Sequence, residues 1–246
     1  MKPLEHFALG NAQAWSFAPL PTGLAQRARV WLESGPSAGD QVLKPGRVWR
    51  AGEFAVKRFE SEPSVRLGLR RSPALRSAAV HFRLLPIRSP RPFLVLEDRS
   101  LGSLLVSEFV EGGSLAWMWN GGGAGVQAFP LFLAAMHRRR IFHGDFHLNN
   151  VLWDGREWVL LDLDGLRPPL RSLRTRTNVI DHWARVHLSL RGSRGLQESY
   201  RSYLAAAQLD FEIPWAEIVE RSRELAHERG IETAYADRDG LDPFPW

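Results

Sequence analysis

The pattern of apolar and polar positions in the first part of the chain predicts several strands and one helix. Residues 64–85 have apolar positions at helical spacing, with Pro73 as a break or as the start of the helix. Around this helix lie short apolar segments bounded by turn residues, which predict strands. These segments are 28–35, 47–59 as two short strands around a turn at Ala51-Gly52, and 93–98 with 103–110 as a β-hairpin.

The second part of the chain favours helices. It begins with a glycine-rich stretch, residues 111–125, which indicates a connection between two lobes. A strand-rich first lobe and a helix-rich second lobe predict an α+β fold, with a β-rich N-lobe over residues 1–110 and a compact, mostly helical C-lobe over residues 111–246. The predicted elements of the second lobe are an amphipathic helix at 126–141, two short strands around the turn Asp154-Gly155, and helices at 177–190, 195–208 and 214–229.

Composition limits the class of protein. The 246 residues are enough for two small lobes that each bury a core. The chain contains no cysteine, which excludes disulfides and thiolate metal sites. The N-terminal residues lack the apolar core of a signal peptide, and no run of eighteen apolar residues predicts a membrane span. We therefore expect a cytoplasmic protein.

Basic residues are almost all arginine and are clustered. The chain has 32 Lys and Arg residues and a formal net charge of +5, yet lysine occurs only at Lys2, Lys44 and Lys57. The acid-free intervals 63–96 and 165–180 contain seven and four arginines respectively. Such stretches favour a polyanionic partner, for which nucleic acid, anionic lipid and a phosphorylated sugar all qualify, but a solvated basic face explains each cluster equally well.

The segment FHGDFHLNNVLW, residues 142–153, concentrates polar side chains ahead of an apolar run. Asp145 and Asn150 lie in a stretch without helical periodicity, and the two short strands that follow are expected to return Asp162 to this loop. These side chains offer oxygen ligands, which favour Mg²⁺ over Zn²⁺. A zinc cluster of His143, Asp145 and His147 is the weaker alternative.

Lys57 stands out because it occupies the interior of a strand, FAVKRF, in an arginine-rich chain. A compact ammonium group is suited to binding phosphate oxygens as a point charge. Taken alone, Lys57 is explained as a strand residue whose charged end reaches solvent. In sequence order with Asp145, Asn150 and Asp162, it favours a phosphate-transfer site.

The motifs AVK, HGDxxxxN and LLDLD together resemble the protein-kinase-like fold. This resemblance implies that ATP and Mg²⁺ are the cofactors. It implies that Lys57 binds the nucleotide phosphates, Asp145 is the catalytic base, and Asn150 and Asp162 are metal ligands.

The same resemblance implies three further roles near the nucleotide and the acceptor. SEFVEGG matches the hinge, so the backbone groups of Glu108 and Val110 would face the adenine. His147 would touch the transferred phosphate or the acceptor, and His143 would brace the loop from below.

HGDFHLNNVLW followed by WVLLDLDG looks like the lipopolysaccharide core kinases, a group that includes the Kdo and heptose kinases. That family implies transfer of the ATP γ-phosphate to a sugar hydroxyl of the inner core, at the cytoplasmic face of the inner membrane. The acceptor is then an acidic glycolipid, not a nucleic acid, and would dock near Arg167 to Arg176. Peripheral contact with the anionic membrane is expected, with the Trp-rich segment 116–120 as one candidate.

Two departures from the kinase pattern leave alternatives open. The helix at 64–85 contains no acidic residue to pair with Lys57, and Ser77 stands where related sequences place glutamate, so Glu60 or Glu62 would have to substitute. No GxGxxG loop precedes Lys57. The alternatives are a kinase-like phosphotransferase for another small molecule or a protein, and a non-catalytic pseudokinase that only binds.

Overall fold

The computed structural model describes residues 3–61, 71–119, 124–166, 175–190, 193 and 195–231. Within these ranges the chain contains ten strands and seven α-helices, and the predicted α+β class is confirmed. The chain divides into two compact units. The first unit is Met1–Val110 with Asp162–Asp164, and the second is Glu111–Leu161 with Gly165–Trp246.

The first unit is built on an antiparallel sheet of seven strands among the described residues, in the order β1-β2-β6-β7-β5-β4-β3. The two predicted hairpins are present, with Gly52 in the left-handed region (φ 65°) at the turn of one of them. The strands are β1 (Glu5–Leu9), β2 (Ala12–Ser16), β3 (Gln41–Lys44), β4 (Val48–Ala51), β5 (Phe54–Phe59), β6 (Pro92–Asp98) and β7 (Gly102–Glu108).

The predicted strand at 28–35 is wrong, because this segment belongs to helix α1 (Leu24–Ser34). Its buried residues Leu24, Ala28, Trp31 and Leu32 are spaced at four, three and one positions, which places them on one helical face. A window that begins at Ala28 omits Leu24, so the run around Trp31 resembles a strand. Helix α1 packs this face into the main core of the sheet.

Helix α2 (Pro73–Leu84) begins where the sequence places Pro73, so this proline starts the helix. The side chain of Ser72 accepts a hydrogen bond from the Leu75 amide (3.3 Å) and caps the first turn. Ala74 and Ala78 pack against Val95 of β6, so this helix covers the sheet through small residues. Residues 64–70 of the predicted helix lie outside the described residues.

The second unit combines a small antiparallel sheet with helices. The sheet has the order β10-β9-β8 among the described residues, and the Asp154 carboxylate accepts the amides of Arg156 and Glu157 (both 2.9 Å) to form the predicted turn. The predicted helices are confirmed. The elements are β8 (Gly113–Ser114), α3 (Leu115–Met118), α4 (Ala124–Arg138), β9 (Val151–Trp153), β10 (Trp158–Leu160), α5 (Thr175–Leu190), α6 (Leu196–Ala207) and α7 (Trp215–Glu228).

Aromatic side chains fill the core of this second unit. Phe129 of α4 meets Trp158 of β10 and Trp183 of α5 edge to face, with ring centroids 5.9 and 6.2 Å apart. Such pairs are favourable beyond the area they bury, and they tie helices α4 and α5 to the small sheet. In the described part of the chain, no helix is both long and apolar enough to cross a membrane.

Candidate functional site

Lys57 occupies the middle of β5, where it is paired with Val48 of β4 and Leu105 of β7. Its side chain is only partly exposed, and its Nζ donates hydrogen bonds to Oδ1 of Asp162 and to Oδ1 of Asp164 (2.6 Å for Asp164). The ammonium group also lies 5.1 Å from the ring centroid of Phe59. Lys57 is therefore held by two carboxylates of the Asp162–Asp164 segment, which belongs to the same compact unit.

The electrostatics of this group keep the lysine charged. Burial has the largest single influence on the pKa of Lys57 and lowers it, but attraction and hydrogen bonds from Asp164 and Asp162 outweigh it, so the pKa is raised. The pKa of Asp164 is raised as well, first by burial and then by its hydrogen bond with Asp162. Lys57 is thus a fixed cation at neutral pH.

The backbone that presents these carboxylates is unusual at Asp162. This residue has φ 55°, in the left-handed region that few non-glycine residues adopt, and aspartate is among the side chains that tolerate it. A short 3-10 helix, Leu163–Gly165, follows directly. The sharp change of direction lets Asp162 and Asp164, two positions apart, both reach Lys57.

Asp164 was missed by the sequence reasoning, which expected the acidic partner of Lys57 from the helix after its strand or from Glu60 or Glu62. Helix α2 has no acidic residue, and the hydroxyl of buried Ser77 has no hydrogen-bond partner among the described residues. Glu62 lies outside the described residues. The available signal was the second aspartate of LLDLD, which the resemblance left without a role.

Glu108 ends β7, at the segment predicted to be the hinge. Its amide donates to the carbonyl of Arg91 (2.9 Å), and its carboxylate binds Arg88 (2.7 Å) and the Arg91 amide (3.2 Å). The Glu108 amide is therefore used inside the sheet. Val110 is buried, and contact of the backbone groups of Glu108 and Val110 with adenine stays a prediction.

The second unit contains the loop FHGDFHLNN. Asp145 is exposed, with 63% of its side chain accessible, and its Oδ1 lies 2.8 Å from His147 Nε2 and 3.6 Å from Arg185 Nη1 of α5. Burial is the largest influence on the pKa of His147 and lowers it, so the ring is predominantly neutral at pH 7. Asp145 is thus an accessible carboxylate flanked by a neutral imidazole and a guanidinium group.

Asn150 is held by the same loop. Its amide nitrogen Nδ2 donates to the carbonyl of Asp145 (3.4 Å), its backbone N–H donates to His147, and its carbonyl accepts from Leu161 (2.8 Å). Because the side-chain nitrogen is used within the loop, the side-chain oxygen is the end that remains for a cation. The sequence predicts that two short strands pair after this loop, and strands β9 and β10 are paired. The bond from Leu161, the residue before Asp162, extends this pairing by one position.

His143 braces the loop, as predicted. It is fully buried, and its Nδ1 accepts the amide of Asp145 (3.2 Å). The amide of Gly144 donates to the carbonyl of Gly165 (2.7 Å), and a Cβ atom at Gly165 would lie 2.3 Å from Cε1 of His143. The loop therefore requires a residue without a side chain at position 165.

His182 of α5 contacts the loop backbone from inside the core. Its Nε2 lies 2.9 Å from the carbonyl oxygen and 3.0 Å from the amide nitrogen of His143, and its ring stacks on Phe146 (centroids 4.6 Å apart). The neighbouring Asp181 accepts a hydrogen bond from Arg221 (3.0 Å). Sequence reasoning missed His182, since no local motif marks a histidine that acts from another helix.

The donor chemistry of the candidate ligands fits Mg²⁺ better than Zn²⁺. Asn150 and Asp162 supply only oxygen, the donor type that Mg²⁺ prefers. Among the described residues, no group of three or more His, Cys, Asp or Glu side chains could hold a metal ion. The zinc alternative with His143, Asp145 and His147 thus finds no support there, and the ring nitrogen Nδ1 of His143 is used by the Asp145 amide.

The arginines expected to dock an acceptor are mostly outside the described residues, namely Arg167, Arg171 and Arg174. Arg176 is described, and both of its terminal nitrogens bind the carboxylate of Glu217 of α7 (2.7 and 2.5 Å). This two-point pair joins α5 to α7. Arg176 thus has a structural partner within its own unit.

No protein-family model matches the chain, and no curated protein sequence matches it. Solved structures similar to the chain include WbdD, at 17% identity and a TM-score of 0.43, with 76% of this chain and 50% of the WbdD chain covered. The chain thus spans half the length of WbdD. Another similar solved structure is the aminoglycoside phosphotransferase APH(3'')-Id from Streptomyces rimosus, at 15% identity and a TM-score of 0.48, with 85% of this chain and 98% of that chain covered.

Proposed function

We propose that this protein is an ATP-dependent phosphotransferase of the protein-kinase-like type, which moves the γ-phosphate to a sugar hydroxyl of an acidic glycolipid. The observation that carries the proposal is the pairing of the Lys57 ammonium group with Asp162 and Asp164. A structural lysine in the middle of a strand needs one counter-charge at most. Two convergent carboxylates instead keep the lysine charged and hold its position, which supports a role in binding phosphate.

The nucleotide half of the proposal assigns a role to each of these groups. Lys57 binds phosphate oxygens of ATP, and Asp164 supplies the counter-charge that helix α2 lacks. Asn150 and Asp162 would hold Mg²⁺, which neutralises phosphate charge when it is bound. The backbone groups of Glu108 and Val110 would face the adenine.

The acceptor half of the proposal centres on Asp145. Its exposed carboxylate accepts the proton of the attacking hydroxyl, and its short contact with His147 Nε2 orients it. In this proposal His147 contacts the acceptor or the transferred phosphate. Arg185, 3.6 Å from Asp145, adds a positive charge that favours an anionic acceptor and the transferred phosphoryl group.

The lipopolysaccharide inner core is the acceptor we propose, from the motif HGDFHLNNVLW followed by WVLLDLDG. The formal net charge of +5 is consistent with an acidic glycolipid at an anionic membrane surface. Trp117 is 78% exposed, whereas Trp119 is buried, so Trp117 is the residue of the Trp-rich segment that can enter a membrane interface. Peripheral contact at the cytoplasmic face of the inner membrane follows from this assignment.

The test is phosphate transfer from labelled ATP in the presence of Mg²⁺, with four candidate acceptors in parallel. These are an inner-core glycolipid containing Kdo and heptose, an aminoglycoside, casein and water alone. We expect label in the glycolipid, and its loss by about 100-fold or more in Asp145→Asn, because a positioned base contributes about 10²–10⁴-fold. Asp210→Asn, which removes an exposed carboxylate outside the site, is the matched control.

Each other outcome corrects a specific part of the proposal. Label in the aminoglycoside or in casein overturns the acceptor class but retains the phosphotransferase. If the protein binds ATP but transfers no phosphate to any acceptor, and Asp145→Asn leaves ATP affinity unchanged, the protein is a binding module instead.

A further inference from the structure

Four buried polar side chains connect three helices to the loop that contains Asp145, and the proposed chemistry uses none of them directly. They are Tyr203 of α6, His137 of α4, His182 of α5 and His143 of the loop, and all are at most 1% exposed. All four belong to the second compact unit. We call the first three the buried relay.

The relay is a continuous chain of hydrogen bonds. Tyr203 Oη lies 2.7 Å from His137 Nδ1, and His137 Nε2 lies 2.9 Å from His182 Nδ1. His182 Nε2 then lies 2.9 Å from the carbonyl oxygen of His143, two residues before Asp145. Every nitrogen of the two relay imidazoles is therefore engaged along one line.

Protonation limits how this line can be arranged. Burial lowers the pKa of His137 to about 3, so its ring is neutral, and burial raises the pKa of Tyr203, which keeps its phenol protonated. A neutral imidazole has one N–H and one bare nitrogen, so the His137 ring accepts at one end and donates at the other.

Two buried donors, the Tyr203 hydroxyl and the His143 amide, depend on the direction of the line. Among the described residues, the Tyr203 hydroxyl has His137 Nδ1 as its hydrogen-bond partner, and a buried O–H that donates to nothing is costly. When Tyr203 donates to His137 Nδ1, His137 Nε2–H donates to His182 Nδ1, and His182 Nε2–H donates to the His143 carbonyl. In the reversed direction, His182 Nε2 would be bare and would accept the His143 amide, 3.0 Å away.

We propose that Tyr203, through His137 and His182, selects the tautomer that fixes the His143 carbonyl and so positions the loop for Asp145. This inference rests on the proposed function, and Tyr203 and His182 act in it as positioning residues. The His182 ring also stacks on Phe146, the residue after Asp145. His182 therefore contacts the loop both before and after Asp145.

The chain supplies a matched control. Tyr200 lies one turn before Tyr203 on α6, it is also buried, and its hydroxyl donates to the carbonyl of Ile213 (2.7 Å) instead of to the relay. Tyr203→Phe and Tyr200→Phe remove the same atom from the same helix. Only Tyr203→Phe removes the group that sets the direction of the line.

The experiment compares these two variants with the unmodified protein by three measurements. They are the His182 side-chain tautomer from ¹⁵N NMR of histidine-labelled protein, amide hydrogen exchange of residues 143–147, and the rate of ATP turnover together with the Kd for Mg·ATP. For Tyr203→Phe we expect a shift of His182 away from the Nε2–H form and at least about tenfold faster exchange in the loop. We also expect turnover to fall about tenfold or more with the Kd nearly unchanged.

Other results separate the two proposals. An unchanged His182 tautomer in Tyr203→Phe overturns the relay, as does equal loop exchange in the two tyrosine variants. If the unmodified protein neither binds nor turns over ATP, the proposed function fails, and the tautomer and exchange results still decide whether the relay holds the loop.

Discussion

Replacing Gly165 by alanine is expected to disturb the loop of Asp145. The new Cβ would lie 2.3 Å from Cε1 of His143, whereas carbon atoms in contact are separated by about 3.5–4.0 Å. His143 cannot move away easily, because it is fully buried and its Nδ1 binds the Asp145 amide. The ring or the backbone of residues 143–145 must shift by roughly 1 Å to relieve the clash.

Two magnitudes follow from that shift. Overpacking of a buried site costs about 1–3 kcal/mol, so the free energy of unfolding should fall by that amount. A misplacement of about 1 Å at a catalytic group costs up to about 100-fold in rate, so phosphate transfer should fall by about 10- to 100-fold while Mg·ATP affinity changes little.

The assay is urea denaturation combined with transfer from labelled ATP, with Gly39→Ala as the control. Gly39 has no positive φ, and a Cβ there would meet nothing within 4 Å, so that change should leave both quantities nearly unaltered. If Gly165→Ala were as stable and as active as Gly39→Ala, the packing of His143 against residue 165 would not hold the loop, and the reasoning would be refuted.

Three further predictions concern the charges and the buried polar groups. Asp164→Asn should lower the rate of phosphate transfer by roughly 10- to 100-fold, because a hydrogen bond to a charged group is worth about 1.5–3 kcal/mol. A rate equal to that of the control Asp210→Asn would show that Asp164 has no role in the site. Ser77→Ala should leave the free energy of unfolding in urea unchanged or raise it by up to about 1 kcal/mol, because the Ser77 hydroxyl is buried without a hydrogen-bond partner among the described residues. A clear loss of stability would show that this hydroxyl has a partner. The pKa of His137 is lowered to about 3 by burial, so its contribution to stability is complete above the unfolded pKa of 6.5 and is lost as the pH falls below it. Between pH 6.5 and 5.5 the unfolding free energy should therefore fall by about 1 kcal/mol more than in His137→Gln, and parallel pH profiles would contradict the neutral buried ring.

Elements with a clear period were predictable from the sequence. Helices α5, α6 and α7 and the hairpins of β4–β5 and β6–β7 repeat their apolar positions over enough residues to identify their type. Helix α1 was mistaken for a strand because Val30, Trp31 and Leu32 form an apolar run in which only the burial of Leu24 and Ala28 reveals the helical face. Strands β1 and β2 were not predicted, since their short segments contain few β-branched residues.

The candidate site was predictable where motif spacing is local. The segment around Asp145, His147 and Asn150 was identified from one loop, and Lys57 from its rarity in an arginine-rich chain. Asp164 and His182 were not identified, because their roles depend on contacts that connect residues 107 and 39 positions apart in the chain. Such pairings follow from tertiary packing, which no local pattern records.

The most direct measurement is thermal unfolding of the protein with millimolar ATP, with and without Mg²⁺, beside Asp162→Ala and the control Asp210→Ala. A ligand that binds only the folded state raises the melting temperature, and tighter binding gives a larger rise. We expect a rise that requires Mg²⁺, that is retained in Asp210→Ala and that disappears in Asp162→Ala. No rise with ATP, or a rise in Asp162→Ala with the same dependence on Mg²⁺, would contradict a nucleotide site built on Lys57 and Asp162.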